Sequence, residues 1–311
     1  MVLFLQVYMQ YSQNNKQINI IFSADNKYVQ HLGVTLCSIF ENKSNNSDLN
    51  IFVIDGGISN KNIAKLQILE KKYSFKIKYI HLQNNDYKDL LISRHITQAT
   101  YYRILIPNIV EQKISKILYL DCDLVVLGDL KELYEIDINN FLTAATEEHV
   151  SGEIKLKLGI RIEAPYFNAG VLLINTEKWR NVSVTDKTLR FIREKPEKIT
   201  FWDQDALNAN IKDGCRIIDK KYNLTTLEIE RMSSEDLTRM TTPLIVHYSS
   251  SIKPWKFNGY HPFNDNYFYY LKKTPWNNKL YNNWYMRLIL AKINNAKYGM
   301  IKIIKKIIKY G

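Results

Sequence analysis

The sequence predicts an α/β protein built on a doubly wound sheet. Strand-like and helix-like segments alternate along the first part of the chain, an order typical of parallel strands joined by crossover helices. The clearest single segment is 116–127, KILYLDCDLVVL, whose apolar run at 117–120 is bounded by polar residues. Continuously apolar strands of this kind are buried on both faces, so we expect this one at the centre of the sheet.

The remaining elements follow from apolar spacing. A buried-type strand at 18–22 precedes a helix at 29–42, in which Leu32, Leu36, Ile39 and Phe40 form one stripe. A helix is also predicted at 95–105, closed by Pro107. The other expected elements are strands at 49–54, 76–82, 141–145, 166–175 and 244–248, and helices at 59–73 and 200–210.

Two carboxylates follow the central strand, in Asp121-Cys122-Asp123. Residues two apart on an extended chain face the same side, and open α/β sheets bind ligands at the carboxyl ends of their strands. Two close carboxylates repel, and a divalent cation with a preference for oxygen ligands, such as Mg²⁺ or Mn²⁺, removes that conflict. The alternative is a pair of aspartates that cap the strand or turn the chain into a loop.

The first strand–helix turn, 23–28, lacks the Gly-x-Gly-x-x-Gly pattern that lets a backbone approach a pyrophosphate. A dinucleotide-type phosphate cradle is therefore disfavoured here, and so is a hydride-transfer enzyme. Asp25 is suited either to a base or sugar edge or to a helix N-cap, and Tyr28 to stacking on a base.

Three further polar positions each allow a functional and a structural interpretation. Arg103 suits a phosphate or carboxylate, or a solvated helix face. Asn168, beside a glycine, suits hydroxyl recognition, or a bulge in which its amide satisfies the backbone. His247 ends a strand shortly before Lys253, which suits a metal-and-phosphate corner, although a lone histidine is more often structural.

The segment WDQDALN begins a predicted helix with two acids in its first turn. The helix dipole alone explains Asp203 and Asp205 there. Gln204 is an unusual choice for a cap and favours a functional role.

Composition bounds the class of protein. The chain has 311 residues, 46% of them hydrophobic, and three scattered cysteines, which predict no disulfide framework and fit a reducing compartment. The net charge is +12, and residues 266–311 carry ten Lys or Arg and no acid, so the rest of the chain carries about +2.

A helix at 300–309 would place isoleucines on one arc and lysines on the other. This pattern favours the surface of an anionic bilayer. The alternative is a helix packed on its own domain, whereas a nucleic-acid arm would leave the apolar face unused.

Six segments, in order, resemble one family. SADNKY, HITQATYYR, LYLDCDLVV, YFNAGVLLIN, WDQDALN and HYSSSIKPW are similar to motifs of the family 8 retaining glycosyltransferases, which include glycogenin and bacterial lipopolysaccharide galactosyltransferases. The resemblance covers roughly 17–260. It divides the chain into an N-terminal extension (1–16), a catalytic domain (17–265) and a basic, aromatic, membrane-associating tail (266–311).

The resemblance implies a GT-A fold, a single Rossmann-like mixed sheet flanked by helices, followed by a basic helical tail. It also implies a UDP-hexose donor and Mn²⁺, with Mg²⁺ as the alternative. The metal ligands would be Asp121, Asp123 and His247, with Cys122 in the same loop.

The resemblance assigns further residues to the donor. The uridine would be held by Ser23, Ala24, Asp25 and Tyr28. Lys253 and Ser250 would contact the diphosphate, and the donor sugar would be surrounded by His95, Arg103, Asn168, Asp203 and Gln204. The chain has Lys27 where the family often has Asn and Ser250 where it often has Gly; Lys27 could still reach ribose or phosphate.

The expected reaction is transfer of galactose or glucose to lipopolysaccharide, lipooligosaccharide or a related glycan on the inner face of a bacterial cytoplasmic membrane. We expect attack on the face that the leaving group vacates, with Gln204 supporting an oxocarbenium-like sugar and Asp205 as the alternative, a carboxylate nucleophile. Competing readings are transfer to a protein or polymer primer, or a non-catalytic nucleotide-sugar binding module.

Overall fold

The computed structural model describes residues 17–45, 47–82, 101–233, 235–236, 242–251, 253–256 and 261–277. Its first half alternates strands and helices as the sequence predicts. These elements are β1 (Gln17–Ala24), α1 (Val29–Asn42), β2 (Asp48–Asp55), α2 (Asn60–Tyr73), β3 (Ile77–Ile80), α3 (Tyr102–Ile109) and β4 (Lys116–Leu120).

The second half contains shorter elements, several of which end at the site described below. They are β5 (Leu124–Val126), α4 (Lys131–Tyr134), β6 (Thr143–Thr146), α5 (Gly152–Lys157), β7 (Val171–Asn175), α6 (Thr176–Asn181), α7 (Val184–Glu194), α8 (Trp202–Ile211), β8 (Cys215–Ile218), β9 (Leu224–Thr225), α9 (Thr226–Arg231), β10 (Ile245–His247) and α10 (Asn264–Leu271).

Seven strands form the central sheet, in the order β3-β2-β1-β4-β7-β6-β8. Strand β1 pairs in parallel with β2 and β4, whereas β7 runs antiparallel to both β4 and β6. The sheet is therefore mixed, as the family resemblance implies and not purely parallel as the alternation of elements alone suggests. The apolar sequence of an interior strand such as β7 is compatible with either strand direction, so the sequence alone does not reveal that β7 runs antiparallel.

A second, three-stranded sheet has the order β5-β10-β9. Strand β10 pairs antiparallel with β5, in a register that sets His247 opposite Leu124, and parallel with β9, which sets His247 beside Thr225. Because Leu124 directly follows Asp123, this small sheet brings a histidine from far along the chain to the end of β4.

Helix α3 differs from its prediction. Pro107 was expected to end the helix, but α3 begins at Tyr102 and continues past the proline to Ile109. That expectation is wrong: Pro107 is the sixth of the eight residues of α3, and its missing N–H loses only the one bond to the Arg103 carbonyl. Residues 95–100 of the predicted helix lie outside the described residues.

The segment after residue 265 begins inside the folded body. Helix α10 crosses the predicted boundary at 265/266, and Tyr267 and Leu271 are buried in the main core. Trp276 packs on Gly33 of α1, where an added Cβ would lie 2.5 Å from the indole ring. The first part of the predicted tail thus packs on the catalytic unit.

The basic stretch 278–311, with its expected amphipathic helix, and the N-terminal extension 1–16 lie outside the described residues. Among the helices of the described part of the chain, none has the length and apolar character needed to cross a membrane.

Candidate active site

The loop Asp121–Asp123 lies at the carboxyl end of β4, at the junction of the two sheets. The Asp121 N–H donates to the Gly170 carbonyl (2.8 Å), and the Tyr248 N–H donates to the Asp123 carbonyl (3.0 Å). These two backbone bonds hold the loop between the residue that leads into β7 and the residue that follows β10. The carboxylates are thereby positioned where the sheet predicts a ligand site.

Asp121, Asp123 and His247 converge there, as the sequence predicts. One ligand atom from each lies within 4.8 Å of the other two. The His247 Nε2 atom is 3.2 Å from Asp123 Oδ1 and 3.7 Å from Asp121 Oδ2. Two carboxylate oxygens and an imidazole nitrogen form a donor set that suits Mn²⁺ or Mg²⁺.

The carboxylate of Asp121 is anchored by a tyrosine and an arginine. The Tyr119 hydroxyl donates to Asp121 Oδ1 (2.5 Å), and the Arg103 guanidinium lies 3.2 Å from the same oxygen. Arg103 also pairs with Asp203 (2.8 Å) and donates to the Ala169 carbonyl (2.7 Å). Burial opposes the charge of Arg103, but Asp121 and Asp203 outweigh it and raise the pKa of the guanidinium.

The carboxyl of Asp203, the second partner of Arg103, has a raised pKa. Burial raises the pKa of Asp203 to about 6, against the lowering influence of Arg103 and with a further raising contribution from Asp121. Arg103 therefore clamps Asp121 to Asp203 most strongly above that pH.

The second metal-site carboxylate is paired with a lysine. Lys253 Nζ lies 2.5 Å from Asp123 Oδ2 and also donates to the Tyr248 carbonyl. Burial acts to raise the pKa of Asp123, but the charge of Lys253 lowers it well below its usual range. Asp123 is therefore an anion at any physiological pH, as a metal ligand must be.

The orientation of His247 suits metal binding. Its Nδ1 atom lies 3.0 Å from the Asn223 Oδ1 atom, an acceptor, so the ring proton of the neutral imidazole is on Nδ1. The lone pair on Nε2 then faces two carboxylates, an arrangement that repels unless a cation lies between them. The three residues thus fit a divalent cation.

A cavity of about 370 Å³ opens beside this cluster. Its lining combines charged and amide groups with exposed apolar side chains. Predicted site residues that line it are Arg103, Asp121, Asp123, Asn168, Asp203, Gln204, His247 and Ser250.

A family model described as glycosyl transferase family 8 matches residues 19–259. The chain belongs to this family. General stress protein A of Bacillus subtilis is 33% identical over 272 residues, which are 84% of this chain and 95% of that protein. Lipopolysaccharide 1,3-galactosyltransferase of Salmonella typhimurium is 27% identical and covers 86% of this chain and 82% of that protein.

The fold agrees with that membership. The crystal structure of galactosyltransferase LgtC in complex with donor and acceptor sugar analogs superposes with a TM-score of 0.75, at 24% identity, over 87% of this chain and all of that one. The predicted α/β, GT-A architecture is confirmed by this likeness.

The predicted uridine residues of this family 8 chain lie at the end of β1, outside the cavity lining. Asp25 Oδ1 accepts from the backbone N–H groups of Lys27 (2.8 Å) and Tyr28 (2.9 Å), so this oxygen holds the turn before α1. Asp25 is not the N-cap of α1, because that position is occupied by Tyr28. Lys27 and Tyr28 are exposed. Ser23 and Ala24 are buried, and their backbone carbonyls accept from Cys122 Sγ and the Gly56 N–H.

Two predicted donor contacts need comment. The buried Cys122 thiol faces β1 and does not line the cavity, so its part in the loop is structural. His95 lies outside the described residues.

The two candidate catalytic residues separate. Gln204 lines the cavity; its Oε1 atom accepts from the Ala169 N–H (2.9 Å) and its Nε2 atom lies 3.3 Å from the Tyr166 hydroxyl. Asp205 is fully buried, and its carboxylate accepts from the Tyr166 hydroxyl and from two backbone N–H groups, each at 2.6 Å. The structure thus places Asp205 away from the cavity, which disfavours the alternative in which Asp205 is the nucleophile.

Several site residues escaped the sequence analysis. Glu148 and Asn223 belong to a buried network described below, and no local pattern marks them. Phe201, Trp202 and Leu227 are 37%, 38% and 41% exposed at the cavity wall. Trp202 also has a φ of +50°, which is strained for an aromatic residue. The signal for these was the pair of large aromatic residues directly before Asp203.

Proposed function

We propose that the protein is a retaining hexosyltransferase that moves galactose or glucose from a UDP-hexose to lipopolysaccharide, lipooligosaccharide or a related glycan. The observation that carries this proposal is the convergence of Asp121, Asp123 and His247 at the edge of a cavity lined by hydroxyl-binding groups. Family membership and the lipopolysaccharide galactosyltransferase relative support the reaction class and the acceptor.

Asp121, Asp123 and His247 would hold Mn²⁺, with Mg²⁺ as the alternative. The bound cation would act as a Lewis acid that stabilises the charge of the departing UDP. Lys253, already seated beside Asp123, contributes a second positive charge next to the diphosphate, where it gains value as negative charge accumulates. Ser250 lines the cavity and offers its hydroxyl to the diphosphate.

The polar side chains that line the cavity bind the donor sugar. Asn168 offers an amide, and the Arg103–Asp203 pair offers a donor and an acceptor to vicinal hydroxyls. Gln204 has its carbonyl oxygen fixed by the Ala169 N–H, so its partial negative charge is preorganised rather than free to rotate. We assign to it electrostatic support of the electron-poor sugar carbon during same-face attack. An amide is a poor nucleophile, and Asp205 faces away, so no covalent sugar–enzyme bond is needed.

The apolar side chains that line the cavity receive the acceptor. Phe201, Trp202 and Leu227 present exposed side chains to the cavity, and aromatic faces pack well against the C–H face of a sugar ring. These side chains line the same cavity as the polar groups that bind the donor, so an acceptor that packs on them can bring a hydroxyl to the reacting carbon.

The C-terminal stretch 278–311 attaches the enzyme to the inner face of the cytoplasmic membrane through its lysines. A deletion that tests this role removes only 278–311, because side chains between residues 264 and 277 pack in the core. Loss of binding to anionic vesicles with retention of UDP-hexose hydrolysis is the expected result. Transfer to a protein or polymer primer needs no such tail, and unchanged vesicle binding would favour that alternative.

The experiment that tests the function is a panel of UDP-sugars supplied with Mn²⁺ to the full-length protein, with and without lipooligosaccharide. We expect slow hydrolysis of UDP-galactose or UDP-glucose alone and faster turnover with the acceptor, with the anomeric configuration retained in the product. Binding of the nucleotide sugar without any turnover would instead identify a non-catalytic binding module.

A further inference from the structure

Four buried polar side chains form a continuous relay from the sugar cavity to the metal site. Asn168 Nδ2 donates to Glu148 Oε2 (2.6 Å), Asn223 Nδ2 donates to Asn168 Oδ1 (2.8 Å), and Asn223 Oδ1 faces His247 Nδ1 (3.0 Å). Exposed fractions are between 1% and 7% for all four residues, so the bonds between them are shielded from bulk solvent. The relay joins the central sheet to the three-stranded sheet.

The direction of the relay is fixed at its start. The Gly170 N–H donates to Asn168 Oδ1 (2.8 Å), and a backbone N–H cannot reverse its role. A carboxylate of Glu148 likewise only accepts, so Asn168 must present its NH₂ to Glu148 and its oxygen to Asn223. Asn223 must then present its NH₂ to Asn168 and its oxygen to His247.

We infer that Asn223 is a positioning residue that fixes His247 in the Nδ1–H tautomer and leaves Nε2 to bind the cation. The Asn223 side chain bonds to Asn168 and His247, and Asn223 is not among the residues that line the cavity. Its effect on the reaction therefore passes through His247 and Asn168. Partners of this kind orient metal ligands and tune their basicity.

A second consequence concerns the donor sugar and rests on the proposed function. Glu148 and Asn168 line the cavity, so a sugar hydroxyl that bonds to either one adds to the same relay that orients His247. Hydrogen bonds in a buried chain polarise one another. Hexose binding and cation binding are then coupled, and by linkage each raises the affinity for the other by the same factor.

The first test needs no turnover. Nitrogen-15 NMR of the histidine rings in full-length protein saturated with diamagnetic Mg²⁺ and UDP, at alkaline pH, distinguishes the two neutral tautomers. We expect His247 in the Nδ1–H form in the wild type and a mixture in Asn223→Ala. An Nε2–H form in the wild type would overturn the inference, whatever the protein catalyses.

The second test measures Mn²⁺ affinity by the EPR signal of free Mn²⁺, with UDP and then with the UDP-hexose that supports turnover. We expect Asn223→Ala to weaken Mn²⁺ binding by about tenfold to 100-fold. Asn223→Asp keeps an acceptor towards Nδ1–H and loses the donor to Asn168. It should therefore bind Mn²⁺ more tightly than Asn223→Ala and lose the gain in affinity that the hexose gives the wild type.

The matched control is Asn42→Ala. Asn42 lies on α1, away from the relay, and its partly buried amide donates to the Val126 carbonyl and the Tyr270 hydroxyl. Melting temperatures are compared for all variants. Wild-type Mn²⁺ affinity in a folded Asn223→Ala protein would overturn the positioning role. Equal Mn²⁺ affinity with UDP and UDP-hexose in the wild type would overturn the coupling alone. Failure of the proposed transferase function would instead appear as absence of turnover in the wild type.

Discussion

Gly170 lies so close to His247 that a Cβ atom on it would be 2.2 Å from His247 Cε1. The same atom would lie 2.8 Å from Asp121 Oδ2. Both backbone groups of Gly170 are also in use, since its carbonyl accepts from Asp121 and its N–H donates to Asn168. A side chain at position 170 would therefore collide with two residues of the candidate metal site.

Gly170→Ala is expected to displace either His247 or Asp121, because overpacking of about 1–3 kcal/mol is relieved by moving a side chain. We predict a loss of Mn²⁺ affinity of about tenfold or more, measured by metal titration, with the fold retained. Gly152→Ala is the control, because the nearest atom to its added Cβ is an Ile162 methyl at 3.6 Å. Equal metal affinity in both variants would contradict the packing argument.

The Asp203 carboxyl predicts a pH-dependent stability. Folding raises its pKa from 3.8 to about 6, so between these values the folded state binds more protons than the unfolded state. Stability contributed by the protonated form is therefore lost as pH rises through that window. Relative to Asp203→Asn, the wild type should lose on the order of 3 kcal/mol in free energy of unfolding between about pH 4 and pH 6.

Denaturant unfolding of both proteins across that pH range measures the effect. A difference between them that does not change with pH would show that Asp203 has an ordinary pKa and that Arg103 fully offsets its burial.

Gln204 and Asp205 should separate by the kind of loss that they cause. Gln204→Ala should lower kcat at least about tenfold with little change in stability, the scale of one preorganised polar group in a transition state. Asp205→Asn can keep an oxygen for the two backbone N–H groups but then turns an NH₂ towards the Tyr166 hydroxyl, which loses its buried acceptor, so it should cost roughly 1–3 kcal/mol of stability. The measurements are steady-state kinetics and thermal unfolding. A stable Asp205→Asn protein without turnover would restore Asp205 as a nucleophile.

Trp202 combines backbone strain with exposure. In the left-handed region a non-glycine residue costs roughly 1–2 kcal/mol, so Trp202→Gly should be more stable than Trp202→Ala by about 1 kcal/mol. This order is the reverse of that in a helix interior. Both variants should raise the KM for the acceptor. Greater stability of the alanine variant would show that the backbone relaxes and that the strain carries no function.

The sequence predicted the parts of the site that lie at strand ends. The apolar run before Asp121 identified β4, and the pairing of two acids with His247 was anticipated from chemistry and the family resemblance. The helix α1 was predicted with its observed bounds, because its apolar stripe and flanking polar residues are both local.

The relay could not be predicted in the same way. Glu148, Asn168 and Asn223 are 20 and 55 residues apart along the chain, and only the folded sheets bring them together. Neither Asn223 nor Glu148 stands in a recognisable motif. The direction of Asp205 was likewise undetermined, because the first turn of a helix faces both the cavity and the core.

The measurement that tests the central claim most directly is turnover of UDP-galactose and UDP-glucose before and after chelation of divalent cations. The account predicts that a chelator abolishes turnover, that added Mn²⁺ restores it, and that Mn²⁺ restores nothing in His247→Ala. Undiminished turnover in the presence of the chelator would contradict the claim that Asp121, Asp123 and His247 act through a shared metal ion.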